Sequence, residues 1–499
     1  MNNRDTPRIP NPDSKSVLVL PIGGTNQVGS NMTLIGHAGR WILVDAGATF
    51  AAADNTEAAE FAIAHGGSMG PIIPDLAAVQ EIIPKLDGIV LTHAHEDHIG
   101  SLSLLHRFKD RWPGIDRVRI FATSYTAAIV RNRLQEIGSN ARIVTVPFTR
   151  KQVVGRFAVE WVQVTHSAPQ TTALAISCGV GTLILASDFK LDSRPMLGDR
   201  TNTSRLERLG REGVLALLAD STNAHRSGRS TSEHEVHKSL RTIMQAFPGR
   251  VFVSTFASNL ARLESARQAA DLTGRRLQLA GGSLHRNAGV GEKLGLLKPS
   301  KGRLTTRVVN EMPRSGVAYL CTGSQAEPNS ALARMATNLD TGLQRRNDPA
   351  IARGDLIVHS ARVIPGNEGA VKDLFDVFER NGVYVLRADQ NMHDLKVHAS
   401  GHGHSEELAD LYRMTRPKFA IPIHGNRELI SAHIDLARSV PSVRDALSPE
   451  EGQILRITED GIFVVGAIET GALASIRIGG SDDNLTLKRW KSHRAPMAA

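Results

Sequence analysis

The sequence predicts an α/β protein in which a strand-rich unit with added helices precedes a parallel α/β domain. In the first hundred residues short β-like runs alternate with glycine-rich turns, and further strand-like runs follow before residue 190. From about residue 210 strand-like runs alternate with amphipathic stretches, the pattern expected when each parallel strand is returned by a crossover helix. At 499 residues the chain exceeds one ordinary core, so two domains, or three with a small one, are expected.

Residues 16–20, 41–44, 89–91, 157–164 and 182–185 read as strands of the first unit. Residues 101–111 read as a helix with the narrow apolar stripe Leu102, Leu105 and Phe108. In the second unit the strands 214–218, 250–254, 317–320 and 355–359 alternate with helices over 233–247 and 259–272. A Gly/His-rich turn at 399–404, a strand at 419–423 and β segments after about 450 close the chain.

Composition narrows the function classes. No run of 18 apolar residues is present, so no membrane helix is expected. The polar N-terminus lacks the apolar core of a signal peptide, which makes the cytoplasm the expected compartment. Cys178 and Cys321 sit in apolar surroundings and read as reduced thiols rather than a disulfide framework. Lys and Arg outnumber Asp and Glu by 59 to 50, which suits a polyanionic partner as well as plain solubility. Aromatic residues make up only 4%, against a base-stacking platform.

The chemistry concentrates in T-H-A-H-E-D-H-I-G, residues 92–100. Imidazole and carboxylate are the donors that suit a borderline divalent cation such as zinc. His93 and His95, one residue apart, can project towards one ion, and Asp97 and His98 can face a second; a solvated polar loop is the alternative. His166, Asp188 and His424 each follow a strand-like run and could complete two sites. Taken singly, each reads more readily as a satisfied histidine or aspartate than as a ligand.

Asp45 in V-D-A-G, His93-x-His95-x-Asp97-His98, His166 and Asp188 together resemble the successive motifs of the metallo-β-lactamase fold. L-A-D-S-T-N at 218–223, Ser400-Gly401-His402 and P-I-H-G at 422–425 resemble the further motifs of its β-CASP nuclease branch. The blocks at 254–259, 322–328 and 364–368 are similar to the bacterial ribonuclease J family, and the resemblance spans about residues 15–430. It implies an α/β architecture: a metallo-β-lactamase αββα sandwich (1–209 and 386–445), an inserted parallel β-CASP domain (210–385) and a short C-terminal segment (446–499).

The resemblance also implies roles. His93, His95 and His166 would hold one divalent ion, Asp97, His98 and His424 a second, with Asp188 between them and Asp45 steadying the histidines from behind. Zn2+ is the expected metal, with Mn2+ or Mg2+ as alternatives. Hydroxide held by the two metals would attack the phosphodiester. Asp220 and His402 are the candidates for binding the phosphate and protonating the leaving oxygen. Ser254, Ser258, Asn259, Ser400, Gly401 and His402 would accept a 5′ monophosphate, setting a 5′-to-3′ register. Apart from the resemblance, basic residues such as Arg262, Arg275, Arg276, Arg303, Arg307, Arg345 and Arg346 offer charge to a nucleic-acid backbone without base specificity; most surface arginines are simply solvated, so none is assigned to a site.

The expected function is a zinc-dependent ribonuclease, 5′-to-3′ exonucleolytic with endonuclease activity, acting in RNA decay and maturation. RNA, a homodimer or homotetramer, and RNA-decay proteins are the expected partners, with no membrane. The alternatives are a nuclease of the same branch acting on DNA and a weakly catalytic RNA-binding paralogue. The second draws on Gly282, where an arginine is usual, and on the short stretch of about 75 residues after His424, ending in a basic tail at 487–494; Gln27 and Ser30, where an acidic and a basic residue are usual, and residues 50–70 also depart from the family pattern.

Overall fold

A computed structural model describes residues 9–490 apart from 53–54, 300–301, 303, 305, 344–347, 389–394 and 480–483. Two large sheets face each other. The eight-stranded sheet runs, edge to edge, through Ile462–Ala467, Gln453–Ile457, Val17–Gly23, Met32–His37, Arg40–Val44, Leu86–Val90, Ile120–Ala122 and Ile143–Thr145. The seven-stranded sheet runs through Asp445–Ala446, Pro417–Ile423, Val214–Asp220, Gly181–Ala186, Thr172–Cys178, Phe157–Gln163 and Gln152–Val154.

Side-chain alternation builds the layers. Val17 and Val19 point between the sheets, where Ile42 and Val44 meet Val159, Trp161, Leu183 and Ile421. Leu18 and Leu20 point the other way, under the helices Leu102–Arg107 and Ser124–Glu136. On the far side the helices Thr203–Glu212, Ser405–Thr415 and Arg427–Arg438 bury Leu206, Leu209, Leu411 and Ala437 against the seven-stranded sheet. The result is the four-layer αββα sandwich that the sequence motifs imply.

The inserted sheet is wholly parallel, in the order Arg276–Ala280, Val317–Cys321, Val251–Ser254, Leu356–His359, Tyr384–Arg387. Both of its faces are buried, Val253 and Val358 on one side, Phe252 and Ile357 on the other, as parallel sheets require. Phe252 stacks on Tyr319 at 4.7 Å. The cluster under the helices of the first sheet continues through Leu240, Val253 and Leu284, so sandwich and insertion share apolar packing.

Three expectations are corrected. Val214–Asp220, read as the first strand of the insertion, pairs with Gly181–Ala186 and Pro417–Ile423 in the sandwich; the first strand of the inserted sheet is Val251–Ser254. An apolar strand buried on both faces looks the same in either sheet, which is why the pattern misleads. The stretch after 445 does not stand apart: Gln453–Ile457 pairs with Val17–Gly23, and Ala472–Ile478 pairs with both Gly67–Pro74 and Leu485–Trp490. Trp490 packs on Phe61 with ring centroids 4.9 Å apart, giving the atypical 50–70 region its partner; residues 491–494 of the basic tail lie outside the described residues. Finally, the helix at 101–111 ends at Arg107 and resumes as the short 3₁₀ turn Lys109–Arg111.

Candidate metal centre

The strand ends bring the donors together. Gly181–Ala186, Val214–Asp220 and Pro417–Ile423 are adjacent and parallel, so their C-terminal ends deliver Asp188, Asp220 and His424 to one edge. Leu86–Val90 ends just before the histidine motif. His95 caps the short helix Glu96–Ile99 with extended backbone, so His93 and His95 project from the loop while Asp97 and His98 sit in the first turn.

Among the described residues three donor groups have ligand atoms within 4.8 Å of one another: one is Asp220, His402 and His424, and the other two are His93, His95, His166 and Asp188, and Asp97, His98, Asp188 and His424. Asp188 belongs to both. Its Oδ2 lies 3.5 Å from His93 Nε2 and 3.4 Å from His166 Nε2, while its Oδ1 lies 3.0 Å from His98 Nε2 and 3.1 Å from His424 Nδ1. Asp97 Oδ2 stands 3.3 Å from His98 Nε2 and 3.4 Å from His424 Nε2. His93 Nε2 and His424 Nε2 are buried without a hydrogen-bond partner, and a buried polar atom left so is costly. A divalent cation supplies what this donor set lacks, so the residues fit one.

Electrostatics point the same way. Burial pushes His93 and His166 well below the ordinary imidazole range, which leaves their lone pairs free. Burial also works against the charged form of His98 and His424, yet the carboxylates beside them, Asp188 foremost, hold both well above that range. Burial likewise opposes the charged form of Asp188, but His98, His424 and His402 outweigh it and keep the carboxyl well below its usual range. Metal binding would therefore displace protons from His98 and His424.

Residues behind the donors fix their orientation. Asp45, at a left-handed φ of 60°, accepts from Thr92 N and Thr92 Oγ1, both at 2.8 Å, and its Oδ2 lies 2.7 Å from His98 Nδ1. His424 is also left-handed, at 56°. Such backbone persists where surrounding contacts over-determine it. Gly401 has a tight steric reason: a Cβ there would stand 2.5 Å from His166 Cε1, and its carbonyl lies 2.7 Å from His166 Nδ1.

Asp220 and His402 form a pair, Oδ2 to Nδ1 at 2.7 Å, and Asp220 Oδ1 is held by Thr222 N and Oγ1 at 2.8 and 2.6 Å. The remaining His402 nitrogen lies 3.7 Å from Asp188 Oδ2. Ser400 Oγ accepts from His402 N and from Asn223 Nδ2, both at 3.0 Å, and Asn223 also donates to the His402 carbonyl. Neither Asn223 nor Asn31 was singled out from sequence. Asn31 Nδ2 lies 3.1 Å from His98 Nε2; the signal for both was their place inside motifs already conspicuous, the glycine-rich 23–31 loop and L-A-D-S-T-N.

The insertion brings its own edge to this cluster. Ala261 N donates to Ser167 O at 3.4 Å, and Ser167 Oγ lies 3.4 Å from His95 Nε2. Ser254 ends its strand with Oγ buried and without a partner. Ser258 lies in the turn ahead of helix Leu260–Leu272, and the Asn259 side chain caps that helix by accepting from Arg262 N at 2.8 Å.

Arg262 and Arg275, read as charge for a nucleic-acid backbone, are corrected. Arg262 is 0% exposed; its Nε donates to Glu233 Oε1 at 2.7 Å and its Nη1 to Ser360 O at 2.6 Å. Arg275 is buried and donates to the carbonyls of Met244 and Gly249 at 2.7 and 2.8 Å. Charge in a sequence does not reveal whether a guanidinium is spent on carbonyls inside a fold. Arg276 donates to Gly302 O at 3.3 Å, while Arg303, Arg345, Arg346 and the Arg307 side chain lie outside the described residues. At Gly282 an added Cβ would meet only Arg286 Nη1, at 3.6 Å, so packing does not require a glycine there.

Three family models match the chain: the metallo-beta-lactamase superfamily over residues 25–209, the beta-CASP domain of ribonuclease J over 248–378, and the RNA specificity domain of Zn-dependent metallo-hydrolases over 392–443. Ribonuclease J of Sinorhizobium meliloti is 34% identical over 478 residues, covering 92% of this chain and 80% of the relative. The chain belongs to the ribonuclease J family. Ribonuclease J of Thermus thermophilus is 33% identical, covering 96% of this chain and 80% of the relative, and that of Mycolicibacterium smegmatis is 33% identical, covering 91% and 77%. A solved protein of unknown function from Enterococcus faecalis shares the fold at a TM-score of 0.56 and 14% identity, over 89% of this chain and all of that one. Among the described residues no helix is long and apolar enough to cross a membrane.

Proposed function

We propose that this chain, a metal-dependent ribonuclease of the ribonuclease J family, removes nucleotides from RNA in the 5′-to-3′ direction and also cuts internally, in cytoplasmic RNA decay and maturation. The observation that carries the reading is the pair of donor groups sharing Asp188 beside the Ser400–His402 loop. His93, His95 and His166 would hold one divalent ion and Asp97, His98 and His424 the other, with Asp188 serving both; zinc suits this nitrogen and oxygen set. When bound, two such ions supply positive charge to the scissile phosphate and lower the pKa of the attacking water.

The chain's own residues do the rest. Asp45 fixes the His98 ring through Nδ1, so its Nε2 stays turned to Asp188. Water adds to phosphorus and gives up one proton, the bond to the 3′ oxygen breaks, and that oxygen takes a proton from His402 Nε2, which a proton from solvent then restores. Asp220 makes His402 fit for this: their 2.7 Å contact engages Nδ1, and Asp220 with Asp188 raises the His402 pKa against its burial. The product carries a new 5′ phosphate. Ser254, Ser258, Asn259 and Ser400 would seat that group and so repeat the cycle one nucleotide on. Apolar Phe463 and Val464, exposed on the edge strand Ile462–Ala467, support assembly into a homodimer or homotetramer, read by light scattering.

The test is product analysis on matched RNA and DNA oligonucleotides with 5′-monophosphate or 5′-triphosphate ends, against a His93→Ala control. The reading expects mononucleotides from monophosphorylated RNA and none from the control. Preferential cleavage of DNA would favour the DNA nuclease, and RNA binding without turnover the regulatory paralogue.

A further inference from the structure

Glu407 is 1% exposed, and among the described residues its carboxylate makes no ion pair; Arg229 pairs with Glu406 and Asp410 instead. Four donors hold it. Leu191 N and Ser230 Oγ donate to Oε1 at 2.8 and 2.9 Å, and Ser230 N and His404 N donate to Oε2 at 2.6 and 2.9 Å. Burying a carboxylate is costly, and hydrogen bonds to the charged group offset that cost.

Helix capping explains one of the four bonds. Glu407 is the third residue of helix Ser405–Thr415, and its contact with His404 N is the return half of a capping box. The other three leave the helix. Leu191 stands three residues after Asp188, and Ser230 lies in the loop between strand Val214–Asp220 and helix Glu233–Ala246. His404 stands two residues after His402, so the segments carrying Asp188, Asp220 and His402 converge on one carboxylate. Backbone bonds brace the same junction: Gly403 N donates to Phe189 O at 2.7 Å, and Ser405 N to Arg226 O at 2.9 Å. An added Cβ at Gly403 would stand 3.0 Å from Glu407 Cβ, so the turn passes close over this side chain.

We propose that Glu407 is a positioning residue for the leaving-group step: it fixes the segment of His402 against that of Asp188 and so sets the reach of His402 Nε2 to the 3′ oxygen. The inference rests on the ribonuclease reading above, with His402 as its acid. Asp220 orients the imidazole through Nδ1, but the 3.7 Å between His402 Nε2 and Asp188 Oδ2 depends on how two separate loops are tied together. A displacement of about 1 Å in such an arrangement costs on the order of a hundredfold in rate. Glu407→Gln keeps the volume and breaks the pattern, because whichever way the amide turns its NH2 group faces at least one backbone N–H.

The experiment gives the metal-loaded full chain two 5′-monophosphorylated RNAs that differ in one atom, oxygen or sulfur at the bridging 3′ position of the first linkage. A thiolate leaves without taking a proton, so a misplaced acid slows only the oxygen linkage. Turnover, KM and bound metal are measured for the wild type, Glu407→Gln, Ser230→Ala and His402→Gln. Glu407→Gln is expected to lower kcat roughly a hundredfold on the oxygen linkage and less than about threefold on the sulfur linkage, with KM and bound metal as in the wild type. Ser230→Ala, which removes one of the four donors, shows the same preference with a smaller loss, and His402→Gln sets the reference. A purely structural loss lowers melting temperature and slows both linkages alike. Equal losses on the two linkages, or wild-type rates, in Glu407→Gln, or in Ser230→Ala if Glu407→Gln does not fold, overturn the role of Glu407; a selective loss in His402→Gln then leaves the ribonuclease reading standing. Equal losses in His402→Gln overturn His402 as the acid and the role of Glu407 with it, and a wild type that cleaves neither RNA overturns the ribonuclease reading itself.

Discussion

Replacing Arg262 with methionine removes a guanidinium that joins three parts of the protein. Its fork binds Glu233 at 2.7 and 3.1 Å, at the start of helix Glu233–Ala246. One arm reaches Ser360 O at 2.6 Å and Ser360 Oγ, at the end of a central strand of the insertion; the other reaches Ala399 O at 3.4 Å, just before Ser400. Methionine fills much of the volume but leaves the Glu233 carboxylate buried, with Ser265 Oγ at 2.8 Å as a remaining donor. Breaking a buried pair from one side costs about 3–5 kcal/mol, mostly the penalty of the stranded charge. In a domain of this size that is roughly 6–20 °C in melting temperature. Thermal and urea unfolding of the full chain measure it, and Arg262→Met with Glu233→Gln should lose less than Arg262→Met alone, because no charge is then stranded. A loss under about 1 kcal/mol for the single variant, or no recovery in the double, would refute the network as the tie between insertion and site.

Four further outcomes follow from the centre. Asp45→Asn should weaken metal affinity about 10–100-fold, measured by competition with a chromogenic chelator, because it disturbs the contact with His98 Nδ1; unchanged affinity would remove Asp45 from the support. Because His98 and His424 are raised above the ordinary imidazole value, metal binding near neutral pH should release protons, and apparent affinity should climb with pH; calorimetry in buffers of different ionisation enthalpy reads the number, and zero release would contradict the charge scheme. By the same sign, what these two protonated rings contribute to the metal-free fold is present in full below about pH 6.5 and lost as pH rises through their raised values, so metal-free protein should melt progressively lower on the alkaline side. Gly401→Ala should cut turnover at least about tenfold while melting shifts little, since its Cβ displaces the His166 ring; wild-type turnover would show that the loop yields instead.

What the sequence made legible was local. His93 to His98 lie within six positions, and short spacing constrains geometry, so their division between two donor groups could be anticipated. His166, Asp188 and His424 were readable because each closes a strand, and strand ends of adjacent strands meet wherever the sheet pairs them. The pairing itself was not readable. Val214–Asp220 carries the same apolar pattern whether its neighbour is Gly181–Ala186 or Val251–Ser254, and Leu455 opposite Val19 joins positions with no shared local signal. Arginines marked the widest gap: Arg262 and Arg275 hold carbonyls and a carboxylate inside the fold, which their charge in the sequence does not disclose.

The central claim, that two ions sharing Asp188 carry out RNA hydrolysis, is tested most directly by titrating zinc into metal-free chain while following cleavage of 5′-monophosphorylated RNA. Two equivalents should bind, with cleavage appearing as the second is taken up and absent throughout in Asp188→Asn. Full activity at one equivalent, or cleavage by Asp188→Asn at the wild-type rate, would contradict it.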